Sequence, residues 1–291
     1  MPGRQHTQKL IEALEIANKE AIIASLLPCI KVHSEPCALA GMPMGSSRMG
    51  GTPDLPDIIE WPSWEPVILT NPRSKTVTKK ERQPLDFIAQ ISLDEVYDLA
   101  GGEDLPKQGM LYFFYDARVQ PWGFDPDDQG SSRVIFYDGP KNKLKRRPPP
   151  APCLDTVDCA LTFKQGWTVR NTLRFDQEED LFTFEKLLED LDGEGTTHRL
   201  LGQPYAIQDD MELECQLVTN GIYCGDPSGY NSPEREKLEG GAGDWRLLFQ
   251  VDSDDMAGFM WGDLGSIYFW IKHQDLLDRK FENVWQILQC G

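Results

Sequence analysis

The apolar positions of this chain repeat a line. Residues 85–94 read LDFIAQISLD, an apolar run interrupted by Gln90, and residues 109–114 follow with GMLYFF. Residues 245–254 read WRLLFQVDSD around Gln250, and residues 265–270 follow with GSIYFW. With Gln90 set over Gln250, Ile91 falls on Val251, Asp94 on Asp254, Gly109 on Gly265 and Tyr112 on Tyr268. Upstream, Arg48 to Pro53 and Arg199 to Pro204 both read R-x-x-G-x-P. Each such segment follows a helix candidate. A repeat of this length decides the fold prediction before single elements do.

The helix candidates are residues 7–27 and 178–192. In the first, Thr7 is the expected N-cap, Leu10, Leu14, Ala17 and Ala21 form one apolar stripe, and Pro28 ends it. In the second, Leu181, Phe184, Leu187, Leu188 and Leu191 share one face of an acidic helix. Strands are expected at 29–33, 84–93, 109–116, 134–137, 161–163, 173–175, 247–251 and 267–271. The runs at 84–93 and 109–116 are nearly continuous in apolar residues, which predicts cover on both faces. Residues 42–62 are rich in Gly and Pro and predict an ordered loop packed through Trp61 and Trp64. Residues 141–152 (KNKLKRRPPPAP) predict an extended polyproline connector. Residues 221–243 predict a surface insertion, and residues 274–281 a short docking helix. The fold expected is α+β: two pseudo-symmetric halves with mainly antiparallel sheet, a helix preceding the strands of each. The halves lie at 1–150 and 151–291, fused into one compact unit.

Charge narrows the partners. The 291 residues carry a net charge of −18. Such a field repels phosphate backbones, so nucleic acid is excluded as the expected partner, and it speeds encounter with a basic protein. The first residues do not read as a signal peptide and no apolar run is long enough for a membrane span. Seven cysteines at irregular spacing, with no C-x-x-C, read as reduced thiols in a cytoplasmic protein.

The ordered set SSRMGGTPDLP, PLDFIAQISLDEV, LPKQGMLYFFYD, GQPYAIQDD and DWRLLFQVDSD…MWGDLGSIYFWI resembles the DUF1963 family, the YwqG-like proteins, from about Ser46 to Trp270. The resemblance implies an α+β fold with an internal duplication and carries over no catalytic residue. Bacterial members are discussed as immunity proteins beside toxin genes, which implies a protein-binding role.

Six residues are candidates for a ligand cleft between the halves. Arg48 and Arg199 present planar donor forks that fit a carboxylate or phosphate, and equally pin their own loops. Gln90 and Gln250 carry amides that must find partners when buried, either as register pins or as the floor of a cleft. Trp261 and Asp263 join a ring and a carboxylate in a Gly-rich turn, which binds a ligand or caps backbone amides. Residues 125–130 and 252–255 resemble fragments of calcium loops, but Phe136 and Ala257 stand where the pattern needs Glu and Gly. The four histidines show no zinc spacing. No nucleophile motif, phosphate loop or dinucleotide fingerprint is present, so no catalytic residue, metal or cofactor is assigned. Residues 146–152 match a proline-rich ligand pattern and read as linker. The expected function is a non-enzymatic interaction module with an acidic surface. The alternative is a small-ligand binder or an unrecognised enzyme using the cleft.

Overall fold

Ten strands build one antiparallel sheet, and their order explains where every polar candidate lies. The computed structural model describes residues 3–71, 76–79, 81–99, 101–193 and 195–291. The strands are β1 (Leu27–Pro36), β2 (Arg48–Met49), β3 (Asp86–Ser92), β4 (Met110–Tyr115), β5 (Ser132–Tyr137), β6 (Cys159–Thr168), β7 (Arg199–Leu200), β8 (Trp245–Asp252), β9 (Ser266–Lys272) and β10 (Trp285–Gln289). Across the sheet they run β5-β4-β3-β2-β6-β1-β7-β8-β9-β10. The longest pairing, β1 with β6, sits in the middle and joins Leu27 to Thr168 and Pro36 to Cys159. With helices packed beside it, the protein is a mixed α and β fold dominated by this sheet.

The sheet curls on itself until it is nearly a barrel. Phe113 of β4 meets Phe249 of β8 at 4.9 Å and Phe269 of β9 at 5.1 Å between ring centroids. These rings come from opposite ends of the sheet, so the inner face closes on one aromatic core with Met49, Ala89, Leu200 and Leu288. Residues opposite one another in an antiparallel pair share a face. Pairing of Gln90 with Tyr112, and of Gln250 with Tyr268, therefore puts these four on the outer face. Both faces of β3 and β4 are buried, as their continuous apolar runs predict. Near the outer strands, Phe136 packs on Phe281 at 5.5 Å, and the Leu288 amide donates to the Trp122 carbonyl at 2.9 Å.

Several local expectations need correction. The first helix is two, α1 (Arg4–Ala13) and α2 (Lys19–Ala24), and Thr7 lies buried inside α1, not at its cap. Asn18 breaks the run at φ 58°, and the Ala17 amide donates to Asp180 at 3.0 Å, so tertiary contacts override the helical period. The second helix, α3 (Glu178–Asp192), precedes β7 to β10 as expected but follows β6. Residues 173–175 form no strand; Leu173 and Phe175 pack among the helices instead. The connector is not free polyproline: Leu144–Arg146 pairs with Asp54–Pro56. Cationic side chains there have anionic and carbonyl partners to meet, with Lys145 on Asp57 and Arg147 on the Ile59 carbonyl. No helix among the described residues is long and apolar enough to cross a membrane.

Candidate functional site

The two arginine–glutamine pairs occupy matching registers. Arg48 lies opposite Gln90, and Arg199 opposite Gln250. In the first nest the Asp54 amide donates to Gln90 Oε1 at 2.7 Å, and the Tyr112 hydroxyl donates to the Asp54 carbonyl at 2.6 Å. In the second, the Tyr205 amide donates to Gln250 Oε1 at 2.9 Å, and the Tyr268 hydroxyl donates to the Tyr205 carbonyl at 2.7 Å. Each glutamine spends its donors as well. Gln90 Nε2 donates to the Ser46 carbonyl at 2.7 Å, and Gln250 Nε2 to Thr197 and Asp252 at 2.8 and 2.9 Å. The amides clamp a loop onto the outer face and leave nothing for a ligand.

The arginines are equally occupied, by different means. Arg199 donates to the carbonyls of Thr197 and Gln203 and pairs with Asp192 at 2.9 Å. Arg48 is completely buried and pairs with Asp54 at 2.5 Å, but none of its guanidinium nitrogens completes a well-directed hydrogen bond. The two nests lie on the same face with β6 and β1 between them, so these four residues do not line one cleft. Trp261 is packed in the inner core, stacked on Phe259 at 5.0 Å. Asp263 is exposed on the turn that follows. The six candidates thus divide into two buried nests, a core ring and a surface carboxylate.

A different place has the shape of a site. A pocket of about 690 Å³ opens where the two outermost strands, β5 and β10, approach each other. Its walls come from the start of β5 (Arg133), the loop before it (Asp128), the start of β8 (Trp245), the end of β9 (Lys272) and the start of β10 (Trp285, Gln286). Both indole N–H groups are committed, Trp245 to Gln216 at 3.0 Å and Trp285 to the Gly123 carbonyl at 2.8 Å. They fix the rings as a rigid wall. Gln286 is 2% exposed, and neither its Oε1 nor its Nε2 has a hydrogen-bond partner. Gln286 shares the inner face with Phe269 and turns toward the Tyr115 oxygen, while the Tyr115 hydroxyl donates to the Pro121 carbonyl at 2.8 Å. A buried amide left open costs about 1–3 kcal/mol, so its retention needs a reason.

Asp128 stands in the same wall. Burial pushes its carboxyl up to about 7; the Gly123 amide, donating at 2.9 Å, opposes this, and the charges of Asp125 and Asp127 add to it. The Asp125–Gly130 run fails as a calcium loop but forms a short 3₁₀ turn capped by Asp125, which delivers Asp128 to the pocket. Among the described residues no group of three or more metal-ligating side chains comes together. A second hollow, of about 270 Å³, is lined by Glu185, Glu189, Asp192 and Tyr205 beside α3. Sequence reasoning missed the seam pocket because its wall comes from five distant segments. One signal was available: Gln286 interrupts the apolar run at residues 284–288 as Gln90 and Gln250 interrupt theirs.

A family profile described as "Domain of unknown function (DUF1963)" matches residues 47–290, most of the chain. No curated protein matches it. The chain belongs to the DUF1963 family, in agreement with the motif resemblance.

Two outcomes follow from these groups. Arg48→Met, which leaves the buried Asp54 carboxylate with Arg146 at 3.7 Å as its remaining cation, is expected to cost about 3 kcal/mol in urea unfolding. Adding Asp54→Asn should recover most of that loss; if it does not, the pair is not an isolated charge balance. For Asp128, the folded state keeps a proton that the unfolded chain releases near the ordinary value of 3.8. Its stabilising share is therefore full below about 4 and is lost as pH rises through about 7. Asp128→Asn should match the wild type at pH 4 and be the more stable at pH 8. Equal stability differences at both pH values would contradict a raised carboxyl.

Proposed function

We propose that this DUF1963 chain is a binding protein, not an enzyme, and that the seam pocket is where it holds a small polar ligand. The observation that carries this is the pocket of about 690 Å³ itself, walled by the fixed Trp245 and Trp285 rings, with the buried Gln286 amide behind it making no well-directed hydrogen bond. Pockets of about 300–1,000 Å³ are the size that takes small ligands, and a few placed polar groups orient them. The location fits the expectation of a cleft between two halves, because β5 lies within residues 1–150 and β10 within residues 151–291. The residues differ from those expected. We further infer that residues 1–150 and 151–291 arose by duplication and fused. The strand order, the matching registers of Arg48–Gln90 and Arg199–Gln250, and bulges between Phe87 and Ala89 and between Leu247 and Phe249 support that reading. Seven unpaired cysteines support a reducing, cytoplasmic setting.

A second reading is favoured by α3. Its exposed side carries Phe182, 69% exposed, among carboxylates including Glu178, Glu179 and Asp190. This face fits a basic protein segment with an apolar contact at its centre. Reversal of Glu178 and Glu179 to Lys that leaves such a partner bound at low salt would exclude it.

The ligand reading is tested by Gln286→Met, which keeps the side-chain length and removes the open amide. The variant should be about 1–3 kcal/mol more stable than the wild type in denaturant unfolding. It should also lose the thermal stabilisation that the wild type gains from a ligand in a panel of amino acids, peptides, sugars and nucleotides. A variant less stable than the wild type, with no panel member stabilising either protein, would show that Gln286 is a structural pin.

A further inference from the structure

We propose that the neighbouring loops at residues 122–125 and 223–226 recognise an arginine side chain of a partner protein, whose guanidinium stacks on the ring row Trp122, Phe124 and Tyr223 and meets Asp125 and Asp226 at its edge. This goes beyond the seam pocket and does not rest on it, since none of the three rings lines that pocket.

The rings carry the argument. Trp122 packs on Phe124 at 6.2 Å between centroids, and Phe124 meets Tyr223 edge-on at 5.6 Å. Both ends of the row are open to solvent, Trp122 and Tyr223 each at 38% exposure. Three other rings are met by cations of the chain itself: Lys107 over Tyr97 at 5.4 Å, Lys272 over Trp245 at 5.4 Å and Arg279 over Phe136 at 5.9 Å. Among the described residues no cation stands over Trp122, Phe124 or Tyr223.

The row is rigid. The Trp122 carbonyl accepts from the Leu288 amide at 2.9 Å and the Gly123 carbonyl from the Trp285 indole at 2.8 Å, which fixes the first loop to β10. The Cys224 amide donates to the Phe124 carbonyl at 2.8 Å, which fixes the second loop to the first. A Cβ on Gly225 would run into both Tyr223 and Phe124, so only glycine there lets the two rings close. A surface already in place spends little binding energy on ordering itself.

The carboxylates choose the ligand. Asp125 directly follows Phe124, and Asp226 follows Tyr223 by three residues. Asp125 accepts from the Asp127 amide and Asp226 from the Ser228 amide, so both are fixed in direction. Burial pushes the Tyr223 hydroxyl up, and the charges of Asp125, Asp226 and Asp128 push the same way, which places these carboxylates around the ring. Ring faces bordered by carboxylates attract a cation. A guanidinium suits both parts, because its plane stacks while its edge donates to a carboxylate; a lysine ammonium is a strongly hydrated point charge. A second copy of this chain, at net charge −18, is repelled.

The test is isothermal titration of the full chain with a capped pentapeptide of alternating alanine and arginine, and with versions carrying lysine or neutral citrulline in place of arginine. The arginine peptide is expected to bind about tenfold tighter than the citrulline peptide, with the lysine peptide between them. Trp122→Leu and Tyr223→Leu should each weaken it about fivefold, while Trp122→Phe, which keeps a ring face, retains most of the affinity. Both positions are exposed, and an unchanged unfolding midpoint shows that the variants keep the fold. Glu178→Lys on α3 should leave the affinity unchanged. An arginine peptide that does not bind, a citrulline peptide that binds as well, or wild-type affinity in Trp122→Leu overturns the inference. Binding that Glu178→Lys abolishes also overturns it, by moving the cation to α3. None of these outcomes touches the seam pocket, whose own test is Gln286→Met.

Discussion

A buried primary amide presents two donors and an acceptor that water no longer answers, and this demand organises the outer face of the sheet. Gln90 and Gln250 meet it by capturing backbone from the loops at Asp54 and Tyr205, which Tyr112 and Tyr268 then hold from the other side. Gln289 meets it in the same way, accepting from the amides of Ile207 and Gln208 at 3.0 and 3.1 Å and donating to the Asp209 carbonyl at 2.9 Å. The loops are thus laid down by the strands under them. Their backbone groups would otherwise be buried without partners, at a cost comparable to the hydrogen bonds they now make. Gln286 obeys the same sequence pattern but falls on the inner face with Phe269, where it meets the Tyr115 oxygen and captures no loop.

The same logic explains what could be read from sequence. A glutamine inside an apolar strand is conspicuous, and so is the R-x-x-G-x-P segment whose arginine pairs across from it. Both are local patterns, and the sheet reproduces both. The strands at Asp86–Ser92 and Met110–Tyr115 were legible for the same reason, since continuous apolar runs require cover on both faces. The crossing at the centre of the sheet was not legible. β1 pairs with β6, more than a hundred residues away, and no local pattern specifies that choice. The break at Asn18 was hidden by an apolar period that continues through it, and contacts of Ala17 with Asp180 and of Asn18 with the Arg174 carbonyl account for it.

Residue type also proved a poor guide to availability. Arg48 and Arg199 have the chemistry of anion binders and sit in equivalent registers, yet each is neutralised by a carboxylate that sequence spacing does not announce uniformly. Asp54 lies six residues after its arginine and Asp192 seven before. Trp261 was attractive because it precedes a carboxylate, but a ring that closes the inner core against Phe259 and Tyr115 has no free face to offer.

The location of the open amide follows from how the sheet ends. A sheet that curls almost to closure leaves two outer strands, and unpaired edges need cover. Here the cover comes from segments already committed elsewhere: Trp122 takes the Leu288 amide, Gly123 takes the Trp285 indole, and Phe281 packs on Phe136. Direct pairing of β5 with β10 would have closed the gap and removed the pocket. Covering the edges with loops leaves a slot whose walls belong to both ends of the sheet. A protein built this way keeps a seam where, among the described residues, charged side chains stand without ion pairs, and Arg133, Lys272, Asp275 and Glu282 line it.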